Sequence, residues 1–154
     1  MPATVIDMGA TRAQAGPPAR RIGHRLLGVA TLMSLLHHVD HIARGNHSGW
    51  PVTDQVTPFS YSLAVYPLIA IGLWLERSGR ARAPFWTLLS GAGVTFLVWV
   101  HVGPAAVEPP AHIIYEYDAA WVGVAAFGGL LALIAALTAH CVHHARIWRR
   151  TARR

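Results

Sequence analysis

The stretch LMSLLHHVDHIARGNHSGWP, Leu32 to Pro51, begins as sequence suited to lipid and then places His37, His38, Asp40 and His41 where an apolar span would continue with leucine. Upstream of it, Arg20, Arg21 and Arg25 precede the short apolar run Leu26 to Leu36, a pattern shared with secretory signals. No small-residue cleavage site follows that run, and three further apolar segments do, so the segment reads as an uncleaved signal anchor.

The rest of the chain supports this. It has 154 residues, 53% hydrophobic and 13% charged, with a mean hydropathy of +0.36. That is too little charge for the surface of a soluble domain of this size. Four segments, Arg25–Arg44, Pro58–Leu75, Pro84–Val102 and Ala119–His140, each approach the roughly 20 residues a helix needs to cross a bilayer. The expected fold is all-α: an integral membrane four-helix bundle occupying residues 22–145, its short loops making neighbours antiparallel. Residues 1–21, with Gly16, Pro17 and Pro18 and no apolar period, read as a disordered basic tail, and residues 146–154 as a second basic tail.

The formal charge of +6 could point to nucleic acid, but its distribution points to topology instead. All thirteen basic residues are arginine. Arg12, Arg20, Arg21 and Arg25 precede the first span, Arg77, Arg80 and Arg82 separate the second from the third, and Arg146, Arg149, Arg150, Arg153 and Arg154 follow the fourth. Arg44 alone falls on the other side, where the loop Gly103 to Asp118 carries Glu108, Glu116 and Asp118. The positive-inside rule therefore places both termini in the cytoplasm and the chain in the inner or plasma membrane, without a nucleic-acid partner. Cys141 is the single cysteine and lysine is absent, which excludes paired-thiol redox chemistry, Schiff bases and a phosphate-loop lysine.

Within the bundle, Pro58 and Pro84 suit helix starts and Pro67 should kink the second span. Gly91, Ala92, Gly93, Gly123, Ala125, Gly128 and Gly129 offer small surfaces for close helix approach. Trp50, Trp86, Trp99, Trp121, Tyr61 and Tyr117 fall near span ends, as an interfacial aromatic belt does.

The opening stretch carries the chemistry. With Arg25 and Arg44 as interfacial anchors, His41 lies roughly 5 Å and His37 roughly 10 Å inside the outer boundary at about 1.5 Å of rise per residue. His37, Asp40, His41 and Arg44 share one helical stripe, which Met33 and Ser34 continue, while His38 points away from it. Ionisable groups at this depth need partners. The third span brings His101 to the same face, followed by the acidic loop, where Pro109 and Pro110 can open a short helix with His112 and Glu116 four residues apart.

These residues suit a nitrogen and oxygen metal site with His37, His41, His101 and His112 as ligands, Glu108, Glu116 and Asp118 competing for a further place, and His38 and His47 in reserve. The motif H-E-x-x-H is absent. Zinc, iron, manganese and copper all suit such donors. Asp40 either orients a ligand imidazole or pairs with Arg44. Three other readings stay open: a neutral histidine–carboxylate network, a haem held by His37 or His41 with His101, and a proton relay or pH switch. At the opposite end His140, His143 and His144 precede a run of arginines and are expected to meet the lipid headgroups, with a metal site that includes His24 a lesser option.

A metal centre there implies a membrane metalloenzyme acting on a lipophilic substrate, with Glu108, Glu116 or Asp40 moving protons. The alternatives are an accessory subunit of a larger membrane complex, haem-binding or not, and a proton or metal transport component. Partners beyond the lipid bilayer are a membrane protein or further copies of the chain.

Overall fold

The computed structural model describes residues 17–45, 58–80 and 83–153; His47, Trp50 and residues 1–16 of the expected tail lie outside the described residues. The elements, in order, are α1 (Pro17–Ala43), α2 (Pro58–Ser62), α3 (Val65–Arg77), α4 (Ala83–His101), α5 (Pro110–Tyr115) and α6 (Ala120–Ala152), with no strand among the described residues. Four helical stretches, α1, Phe59–Arg77, α4 and α6, are long and apolar enough to cross a membrane.

Two helices overrun their apolar segments. α1 begins at Pro17, so residues 17–21 of the segment expected to be disordered are helical, and α6 runs through the expected basic tail to Ala152. Apolar periodicity marks only the part of a helix that meets hydrocarbon; these extensions hold one another instead, for His143 Nε2 lies 2.9 Å from the Ala19 carbonyl oxygen. At 27 and 33 residues, α1 and α6 are roughly 40 and 50 Å long, more than the hydrocarbon thickness.

The second span is broken, but one turn before its proline. Pro67 has no N–H to give the Leu63 carbonyl and its ring crowds that oxygen. The helix therefore ends at Ser62, the tighter bond from Tyr66 N–H to Leu63 O (3.2 Å) bridges the break, and α3 restarts at Val65. The resulting offset aims α2 back over the end of α1.

α6 is the centre of the bundle, packed along α1, α4 and α5. Leu97, Ile113, Leu130 and Leu133 form the core, with Met33, Phe127 and Leu137 against it. Of the small residues, Gly123 lets the α5 backbone lie directly on α6: a Cβ there would run into the Ile114 carbonyl. Gly93 meets Leu137 at van der Waals range, whereas Gly128 and Gly129 face open space and take no part in close packing. Gly123→Ala is accordingly expected to cost about 1–3 kcal/mol by overpacking. Gly128→Ala should stay within about 0.5 kcal/mol. Thermal unfolding of the two variants in detergent measures the difference.

Candidate metal centre

The last turn of α1 and the end of α4 meet, and three imidazoles meet with them. His37 Nε2 lies 3.2 Å from His101 Nε2 and 3.2 Å from His41 Nε2. One donor atom from each ring falls within 4.8 Å of the others, and all three residues are buried. The spacing of four along α1 brings His37 and His41 edge to face, their ring centroids 4.6 Å apart; α4, running parallel to α1, supplies His101 from its C-terminal end.

The loop after α4 adds a carboxylate. The Gly103 N–H caps α4 on Val98 O (2.7 Å), the chain turns back, and the Glu108 N–H reaches Val100 O (3.0 Å). His101 Nδ1 lies 3.2 Å from the Glu108 carbonyl oxygen. Donation of a proton there fixes the tautomer that leaves the Nε2 lone pair facing His37. Glu108 is thereby held inward, 2% exposed, with Oε2 3.5 Å from His41 Nε2. That oxygen and His41 Nδ1 are buried without a hydrogen-bond partner. Native interiors seldom leave a carboxylate oxygen in that state unless a ligand or ion meets it.

Above the histidines sits an ion cluster. Arg44, whose side chain is 1% exposed, bonds Asp40 Oδ2 from NH2 (2.7 Å), Glu116 Oε2 from NH1 (2.9 Å) and Glu108 Oε1 from NH1. The Tyr117 hydroxyl donates to Asp40 Oδ1 at 2.7 Å. Burial alone would lower the pKa of Arg44, but the bonds from Asp40, Glu108 and Glu116 outweigh it and raise it. Burial pushes the Glu108 carboxyl up against the opposing pull of Arg44. The Tyr117 phenol is pushed up to about 12, by burial and then by its bond to Asp40. Three carboxylates against one guanidinium leave the cluster two negative charges in excess when all are ionised.

Several expected residues stand elsewhere. α5 forms where the two prolines predict it, with Pro109 at the N-cap, but it turns Ile113 into the core at 0% exposure. One residue earlier, about 100° round the helix, His112 is therefore exposed and outside the cluster. Asp118 is exposed as well. Both of Asp40's oxygens are taken by Arg44 and Tyr117, so of its two expected roles the geometry matches the pairing with Arg44. Glu116 reaches Arg44 from the surface. Arg44 itself does not extend to an interface as an anchor; the three acids hold it inside.

His38 does not face outward as its helical angle suggests. It is 7% exposed, with Nε2 2.8 Å from Ser62 Oγ and Nδ1 2.9 Å from the Tyr66 hydroxyl, because the offset of α2 and α3 covers that side of α1. Ser62 and Tyr66, four residues apart, were a polar helical face legible in the sequence. Among the histidines of α6, His140 is buried: it is 1% exposed, bonded through Nδ1 to Ser90 Oγ at 2.6 Å, with its ring against His144 and Trp86, while His143 and His144 are half-buried. The signal for it is Ser90, one of three hydroxyls in the apolar α4 and the one at matching depth.

A cavity of about 320 Å³ lies beneath the cluster, bounded by α1, α2, α3, α4 and α6, and His37, His41, His101 and Glu108 all line it. Asp40 and Glu116 do not, so Glu108 is the one candidate proton carrier among the three acids that faces this space. No protein-family model, curated protein or solved structure matches the chain.

Proposed function

We propose that the chain is an integral membrane metalloprotein that holds a divalent transition metal between His37, His41 and His101, with Glu108 beside the open fourth position, and uses it as an enzyme on a lipophilic substrate. The carrying observation is that His37 Nε2 lies 3.2 Å from both His41 Nε2 and His101 Nε2, with one nitrogen of each ring within 4.8 Å of the others. Donors at about 2.0–2.1 Å around one tetrahedral ion lie about 3.3 Å apart, so two of the three pairs already stand at binding distance. Axial ligands of a haem sit on opposite faces of a macrocycle with their nitrogens about 4 Å apart, so this spacing favours a small ion. Two further observations agree: a dication matches the excess negative charge of the cluster, and Glu108 Oε2, which makes no hydrogen bond, lies 3.3 Å from His101 Nδ1 and 3.5 Å from His41 Nε2. Zinc, iron, manganese and copper all accept this donor set.

Membrane insertion is supported by the four apolar helices and by large side chains presented outward, such as Ile42, Leu88 and Trp121 at 64%, 65% and 75% exposure. The arginine distribution sets the termini in the cytoplasm and the metal centre beneath the extracytoplasmic surface of the inner or plasma membrane. Held by His37, His41 and His101, such an ion would supply Lewis acidity toward a substrate oxygen or a water in the cavity. Glu108, lining the same space, is placed to exchange a proton there, while Arg44 fixes its other oxygen.

Elemental analysis of the detergent-purified full chain tests the proposal: about one transition-metal ion per chain is expected after dialysis against buffer without chelator. Cobalt(II) exchanged into the site should show the intense visible bands of a four- or five-coordinate ion. Protein that stays metal-free after incubation with each of the four metals overturns it.

A further inference from the structure

The cavity under the metal centre has a chemical polarity of its own. Below the histidines its wall is apolar, with Leu27, Leu89, Phe96, Leu97, Leu133 and Leu137. Most hydroxyls that line it are already engaged: Thr31 donates to Leu27 O (2.9 Å), Ser62 to Phe59 O (2.7 Å), Ser90 bonds His140 (2.6 Å) and Ser34 lies 3.4 Å from the Tyr66 hydroxyl, while Tyr61 stands at the exposed edge. A polar molecule placed in the shaft would lose its hydration and find few partners in return. The unsatisfied donors and acceptors sit at the histidine end.

Its route of entry is also legible. The end toward the loop is stoppered by Arg44 and the acids around it. On the side, α3 stands off the bundle: α1 and α4 pack along α6, whereas α3 has no comparable packing and touches α4 near Gly72, which accepts the rings of Phe85 and Trp86. Further along, residues that line the cavity are exposed on the outer surface as well, Tyr61, Ala64 and Leu68 on one side of the gap and Ala92 on α4 on the other. The opening therefore faces what surrounds the helices. From His101 to Leu89 the shaft runs roughly 18 Å along α4.

We infer that the substrate is a single-chain membrane amphiphile, which enters sideways between α3 and α4, lays its hydrocarbon chain along the apolar shaft and brings an oxygen-bearing head to the histidine cluster. The inference rests on the metal reading for what the head meets; the shaft and the portal stand on their own geometry. A water-soluble substrate is disfavoured because the loop end is closed and the wall is apolar. A space of about 320 Å³ suits one hydrocarbon chain rather than two.

A fatty acid carrying a mid-chain diazirine tests this on the full-length protein in liposomes. Irradiation followed by peptide mapping should place cross-links on Phe96, Leu97 and Leu137, and excess palmitate should abolish them. Ala92→Phe narrows the portal at an exposed position where the fold tolerates bulk, and should lower the competable labelling about tenfold, as the overpacking of a snug site does. Ala64→Phe, on the facing side, should act likewise. Leu88→Phe, one turn from Ala92 on α4 but outside the cavity, should leave labelling unchanged. Cross-links confined to outward residues such as Val98 and Leu131, indifferent to palmitate, overturn the inference.

Zinc measured in the same samples separates the two proposals. Zinc-loaded protein without competable labelling overturns the amphiphile and leaves the metal centre standing. Competable labelling in protein that binds no metal supports the shaft and removes the ion from its outer end.

Discussion

His37→Ala is expected to abolish metal retention, with bound metal falling from about one per chain to below the detection of elemental analysis. His37 is the common member of both short nitrogen contacts, 3.2 Å to His41 and 3.2 Å to His101, so its loss leaves two imidazoles without a central partner. Removing one of three nitrogen donors takes the site below the ligand count that a tetrahedral ion needs. His101→Ala should behave the same way. His112→Ala, on the exposed face of α5, should retain a full complement of metal, which separates loss of a ligand from a general effect of deleting imidazole. Glu108→Gln keeps shape and hydrogen-bonding capacity but not charge, and should weaken binding by about 10–100-fold. Metal retained by both His37→Ala and His101→Ala would overturn the ligand assignment.

Arg44→Ala should be the most destabilising single substitution in the described structure. Among the described residues the guanidinium is the only cation touching Asp40, Glu108 and Glu116, and its side chain is 1% exposed. Breaking a buried ion pair by removing one partner costs about 3–5 kcal/mol, because the remaining charge cannot recover its hydration. Here two buried carboxylates and a third at the rim are left facing each other. Thermal unfolding in detergent should show the loss, and saturating metal should recover part of it by mass action, since the ion supplies positive charge to the same cluster. Arg44→Lys, which keeps the charge but cannot bond three acids with a planar fork, should fall between the two. A melting temperature unchanged by Arg44→Ala would mean that the carboxylates are hydrated rather than buried.

The number of helices long and apolar enough to cross a membrane, the clustering of ionisable groups at one end and the pairing of His37 with His41 follow from the chain itself. Each depends only on local order: apolar run length is set by bilayer thickness, and the α-helix puts residues four apart on one face whatever surrounds it. The short helix after Pro109 is local in the same sense. By contrast, which side of each helix turns inward depends on its neighbours. His38 is off the stripe of His37 and His41 yet buried, because a break one turn before Pro67 swings Ser62 and Tyr66 over it. His112 shares its spacing with Glu116 yet is exposed, because Ile113 is the residue that fills the core.

Distance in sequence marks the same boundary at the site. His37 and His101 are 64 residues apart, as are Arg44 and Glu108, and only the antiparallel packing of α1 and α4 against α6 decides that they touch. The sequence by itself determined that polar groups lie deep in an apolar bundle. Burial without water then required that they find partners, but the choice of partners belongs to the tertiary structure, because side-chain contacts between helices depend on rotation and offset that no local pattern encodes. The cavity belongs there too, since it is the space left where α3 stands away from the bundle.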